Sequence, residues 1–168
     1  MNNNTLWSTW LLPCKTDARI YKTLISDYSE IYSSEKFEPH VTLFGRLSID
    51  PATTFSFFKN LAASLEPFDC SLIGTAKGKP PWMLYYIMVE KNETIGLLQN
   101  KIDILLSGYC LYEFIPHLSL VYGNAQIEDE NGDSILAGEK IRFSSIALVR
   151  TPDEVANWEI IKTFDFGN

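Results

Sequence analysis

Apolar and polar residues alternate with two different periods along this chain, and the switches between them mark its elements. Leu6 to Leu12 reads as a strand, which Pro13 ends. From Thr16 to Tyr32 the period lengthens, and Ile20, Tyr21, Leu24, Ile25, Tyr28, Ile31 and Tyr32 form one helical face. Phe37 to Leu47 predicts a second strand. Asp50-Pro51 predicts a helix start, a capping carboxylate followed by a proline in the first turn. That helix runs to about Leu65 with Phe55, Phe58, Leu61 and Leu65 as its inner stripe. Phe68 to Thr75 predicts a strand, 77–81 a turn, and Trp82 to Glu90 a strand rich in Tyr, Ile and Val. Asn92 caps a helix to about Leu106, with Ile95, Leu98, Ile102 and Leu105 on one face and Gly108 after its end. Phe114 to Tyr122 is a further strand, and Lys140 to Arg150 and Trp158 to Phe166 are two closing ones. The acidic stretch 124–138, which holds Asn131-Gly132, is left open between a short helix and a loop.

This order is a rough internal duplication without a linker. It predicts a single α+β domain over residues 1–168, with two lobes, each a sheet covered by helices on one side. The length of 168 residues and a composition 46% hydrophobic suit such a core. A net charge of −7 argues against a broad grip on duplex DNA or RNA, though a small phosphorylated ligand in a local pocket stays open. Cys14, Cys70 and Cys110 are far apart and suggest free thiols in a reducing compartment. No stretch is long enough to span a membrane, and Met1-Asn2-Asn3-Asn4 lacks the basic side chain of a signal peptide. A soluble, cytoplasmic protein is expected.

The duplication carries a repeated phrase. Pro39-His40-Val41-Thr42-Leu43 and Pro116-His117-Leu118-Ser119-Leu120 both read proline, histidine, apolar, hydroxyl, apolar. They hold the only two histidines of the chain. Because side chains alternate across a strand, His40 and Thr42 share one face, as do His117 and Ser119, and the apolar pairs share the other. If the two strands are related by an approximate two-fold, four polar side chains converge on one cleft.

Two imidazoles on one site suit a hydrolysis in which one takes a proton and the other gives one, since histidine titrates near pH 6.5. The hydroxyls of Thr42 and Ser119 would donate to phosphate oxygens without a metal. A metal centre would need a third ligand and usually a fourth, and no carboxylate sits at a matching offset in both copies. No G-x-S-x-G elbow or G-x-G-x-x-G appears. The run Gly74 to Pro80 resembles a P-loop, but it is too short and Pro80 replaces the hydroxyl residue, so it reads as an ordinary loop. Arg46 and Arg150 are phosphate ligands by charge alone, and Trp82 and Tyr86 lie on a strand from which either could face the cleft.

The two phrases, with Ser8 to Pro13 at the start and Ile146 to Thr151 followed by Trp158-Glu159 at the end, resemble the two-histidine phosphoesterase superfamily. Within it, the chain resembles the cyclic phosphodiesterase-like family. The resemblance implies two antiparallel sheets around a central cleft and metal-independent, cofactor-free hydrolysis of a cyclic phosphodiester. The substrates it implies are nucleoside 2′,3′-cyclic phosphates and ADP-ribose 1″,2″-cyclic phosphate; a monomer is expected. It makes His40 and His117 catalytic, Thr42 and Ser119 ligands of the phosphate, and Trp10 and Tyr122 aromatic residues lining the site. Tyr122 reaches that site only if its strand bends near Gly123, because a regular strand would turn it away from His117. Analogy with the family gives His117 as base and His40 as acid; the residues themselves leave the roles open. RNA 2′,3′-cyclic ends as substrate, or a non-catalytic nucleotide-binding module, are the alternatives. No DNA and no membrane partner is expected.

Overall fold

The computed structural model describes residues 6–128 and 136–167. The readings made on Met1 to Asn4 and on Asn131-Gly132 lie outside them. The elements follow in the order β1 (Trp7–Pro13), α1 (Lys15–Tyr32), β2 (Val41–Leu47), a 3-10 turn (Pro51–Thr54) leading into α2 (Phe55–Ala63), β3 (Phe68–Lys77), β4 (Tyr85–Val89), α3 (Glu93–Leu106), β5 (His117–Val121), β6 (Lys140–Arg150) and β7 (Glu159–Asp165).

The helix starts are built from the residues that predict them. The Asp50 carboxylate accepts the Ala52 N–H at 3.0 Å, and Asn92 Oδ1 accepts the Ile95 N–H at 3.0 Å. The inner faces are narrower than the sequence suggests. In α1, Tyr21, Ile25 and Ser29 are buried, while Ile20 and Ile31 face solvent. In α3 the inward position near the end belongs to Leu106 rather than Leu105.

The strands form an antiparallel sheet in the order β1-β2-β5-β4-β3-β6-β7, with β1 also paired to β6. This corrects the expected pair of separate sheets. Two joints fuse them. Strand β6 is 11 residues long; its first part pairs with β3 and its remainder with β1 and β7. The other joint is between the two phrases, where Val41 pairs with Leu118.

The helices are exchanged across that joint. Helix α1 packs on β5, and α3 packs on β2. Each motif strand is thus covered by the helix that belongs to the other half of the sequence, which corrects the picture of each lobe covered by its own helices. Val41, Leu43, Leu118 and Leu120 are buried on this helix side, as alternation requires. The polar members of both phrases are left for the other face.

Candidate active site

The pairing of Val41 with Leu118 joins the residue after one histidine to the residue after the other. Continuing that antiparallel register by one residue each way sets Thr42 across from His117 and His40 across from Ser119. Each histidine therefore faces the hydroxyl residue of the opposite phrase.

Both rings are fixed by one device. His40 Nδ1 lies 2.7 Å from the Glu38 carbonyl, and His117 Nδ1 lies 2.6 Å from the Ile115 carbonyl. A carbonyl only accepts, so each Nδ1 carries a proton and donates it, leaving each neutral Nε2 with its lone pair. The two prolines stand between donor and acceptor in both copies, and their fixed φ shapes the turn that brings the carbonyl round.

His40, Thr42 and His117 line one cavity of about 220 Å³. Ser119 does not line it. It is buried behind Tyr122, close enough to that hydroxyl to act on it, yet its Oγ makes no hydrogen bond of regular geometry. An unsatisfied buried hydroxyl costs about 1–3 kcal/mol.

Trp10 stacks on His40, with ring centroids 3.5 Å apart and planes within 7°. Tyr122 also reaches the site: its O–H stands 3.4 Å from His40 Nε2, a long hydrogen bond. The strand does break its alternation, but before Gly123. Val121 pairs with Tyr85 and Ser119 with Tyr86, so a bulge in β5 shifts the phase and turns Tyr122 into the cavity.

Two further irregularities bring in residues that the phrases do not contain. Against β1, strand β2 gains one residue between Thr42 and Phe44 and another between Phe44 and Leu47. Phe44 is thereby sent into the core, and Gly45 and Arg46 both line the cavity. Trp82 sits in the turn before β4, not on the strand, and lines the cavity as well. Tyr86 does lie on β4, its ring centroid 5.1 Å from that of His117 and the planes at 64°. Arg150 is held by Glu159 at 2.6 Å on the surface, away from the site.

Trp158 is one of the lining residues that the sequence reading missed, with Tyr112 and Met83 among the others. It packs 5.4 Å from Trp10 and 5.1 Å from Tyr122, and its indole N–H donates to the Pro152 carbonyl at 2.9 Å. Its place depends on the loop between β6 and β7 folding back over β1, and no local signal encodes that.

These surroundings act on the protonation of the rings. Burial lowers His40 from 6.5 to about 3, opposed by the Glu38 carbonyl and aided by the proximity of His117. Burial also lowers His117, opposed by the Ile115 carbonyl. Burial thus favours the neutral form of both imidazoles, that of His40 the more firmly. Burial holds the Tyr122 and Tyr112 hydroxyls protonated well above the ordinary phenol range.

Among the described residues no three His, Cys, Asp or Glu side chains are grouped to hold a metal ion, and no helix is long and apolar enough to cross a membrane. The three cysteines form no disulfide.

Helices and sheet together have a fold seen in other solved structures. LigT from E. coli, in its complex with 3′-AMP, superposes with a TM-score of 0.66 at 12% identity, covering 98% of this chain and 99% of that one. TT0787 of Thermus thermophilus superposes with a TM-score of 0.65 at 17% identity, covering 97% and 98%. Residues 6–70 match the model of the family described as cyclic phosphodiesterase-like protein. Over that segment the chain is similar to the cyclic phosphodiesterase-like family, and over nearly its whole length it shares the fold of LigT and TT0787. No curated protein matches it by sequence.

Proposed function

We propose that the chain hydrolyses a cyclic phosphodiester to a phosphomonoester by acid–base catalysis from His40 and His117, with no metal and no cofactor. The observation that carries this reading is the shared lock: two histidines in one cavity, each held through Nδ1 by a main-chain carbonyl. The substrate is a nucleoside 2′,3′-cyclic phosphate or ADP-ribose 1″,2″-cyclic phosphate. Crystal structures of E. coli LigT with 3′-AMP, with NADP+ and with ATP support a small nucleotide as the ligand. The net charge of −7 favours that over a long RNA strand. The pairing of equivalent residues at Val41 and Leu118 supports a duplicated, bilobal unit over residues 1–168; its action as a soluble, cytoplasmic monomer is part of the same proposal.

Water attacks the phosphorus in line. One Nε2 takes the water proton, and the other ring delivers a proton to the departing ribose oxygen. Burial supports the opposite division from the one that analogy suggests. The acid must be charged before the step, and the less desolvated ring, His117, charges more easily. His40, kept neutral under Trp10, is suited to be the base. Thr42 would steady a phosphate oxygen from the cavity wall, whereas Ser119, which does not line the cavity, would act through the Tyr122 hydroxyl. Trp10 holds the base in plane, and Tyr122 holds its Nε2.

The purified protein is expected to open cyclic phosphates, and His40→Ala and His117→Ala are each expected to lose roughly 10²–10⁴ in turnover. Near wild-type rates in either variant would end the proposal.

A further inference from the structure

We propose that Tyr112 is a positioning residue for the reaction: by holding the Thr42 carbonyl, it sets the aim of the Thr42 hydroxyl into the cavity. The inference rests on the cyclic phosphodiesterase reading and adds a residue that neither phrase contains. Strand β2 is bulged against β1 between Thr42 and Phe44 and again between Phe44 and Leu47. A bulge disrupts the ladder, so the backbone there depends on other partners to stay in one arrangement. The stretch shows its departure from a regular strand at Arg46, where φ is 65°.

Those partners are side chains. The Arg46 N–H donates to Ser8 Oγ at 3.1 Å. The Cys110 thiol donates to the Gly45 carbonyl at 3.5 Å, and the Tyr112 hydroxyl donates to the Thr42 carbonyl at 3.3 Å. Cys110 and Tyr112 belong to one loop, 107–116, which runs from the end of α3 to the second phrase. A loop of the second half thus grips the phrase of the first half just where the ladder is broken.

Tyr112 is fitted to this task. Its ring packs on Phe44 with centroids 5.3 Å apart, and a Cβ at Gly45 would stand 3.4 Å from the ring. Glycine at 45 therefore lets the ring close on the strand. Burial keeps the Tyr112 hydroxyl protonated, so it stays a donor at any working pH. Thr42, Gly45 and Tyr112 line the histidine cavity side by side. The Thr42 Cα joins its carbonyl and its side chain at a fixed angle, so a donor that holds the one also holds the direction of the other. The single hydroxyl proton of Tyr112 is spent on that carbonyl, which leaves Thr42 to meet the phosphate. Small errors of placement at a reacting centre are costly, and this contact prevents one.

The test is a double-mutant cycle on turnover of adenosine 2′,3′-cyclic phosphate by the wild type, Tyr112→Phe, Thr42→Ala and the double variant. Phenylalanine keeps the packing on Phe44, and thermal melting checks that all four proteins are folded. Tyr112→Phe is expected to lower kcat about threefold to tenfold, with the shape of the pH profile unchanged. In the Thr42→Ala background the same change is expected to lower kcat by less than about twofold, because no hydroxyl is left to aim. An equal fall in both backgrounds overturns the assignment, as does wild-type turnover in Tyr112→Phe; both leave the cyclic phosphodiesterase reading intact. Full turnover in Thr42→Ala removes Thr42 from the mechanism and Tyr112 with it. A wild type that opens neither this substrate nor ADP-ribose 1″,2″-cyclic phosphate overturns the reading and the inference together.

Discussion

His40 lies flat against Trp10, with Phe37, Trp158 and Tyr122 around it, whereas among the described aromatic rings His117 has Tyr86 beside it and is half open to the cavity. The backbone treats the two alike: both Nδ1 atoms donate to the carbonyl two residues earlier. The difference is desolvation, which drives His40 to about 3 and lowers His117 too. A repeated phrase has therefore fixed the tautomer twice, and unequal surroundings set the two rings apart in how readily they take up a proton.

The largest way to break this contrast is to remove the wall. Trp10 is only 3% exposed, so Trp10→Ala is expected to cost roughly 3–5 kcal/mol of stability in chemical denaturation. In the same variant His40 should titrate much nearer to His117. A His40 that still titrates far below its partner would show that Trp10 is not the cause.

Acid should expose the contrast next. As pH falls below 6.5 the unfolded chain protonates residue 40, while the folded protein keeps it neutral down to about 3. The unfolded state then binds more protons, and stability falls with pH across that window by up to about 1.4 kcal/mol per unit from this group. Urea melts between pH 7 and pH 4 should show a gentler decline in His40→Gln than in the wild type. Parallel declines would contradict the burial argument.

The smallest effect is expected from Tyr122→Phe. Its hydroxyl touches His40 Nε2 at only 3.4 Å, so the loss should be near the low end of roughly 0.5–1.5 kcal/mol, with a few-fold fall in turnover. A loss as large as that of His40→Ala would promote Tyr122 from a positioning residue to a participant in proton transfer.

Much of this comparison is legible in the sequence. Periodicity places all seven strands and three helices to within a few residues, because each element has one apolar face and a local stop signal such as Pro13, Asp50 or Asn92. The repeated phrase marks both histidines. The pairing of strands is not local, and the fusion of two expected sheets through β6 and the Val41–Leu118 joint left no pattern to read. Bulges were equally silent. They turn Arg46 and Tyr122 into the cavity, and each arises from a one-residue mismatch between two strands. Trp158 was hidden for the same reason, since a tryptophan at the start of a strand reads as core until the chain folds over it.

The central claim, that one phrase repeated in two environments yields a base and an acid, is tested most directly by proton NMR of the imidazole rings. The chain has only two histidines, so two titration curves are expected and His40→Gln identifies which is which. The account predicts that His117 takes up its proton first and that His40 stays neutral through the physiological range, towards about 3. Two rings titrating together near 6.5, or His40 charging first, would contradict it.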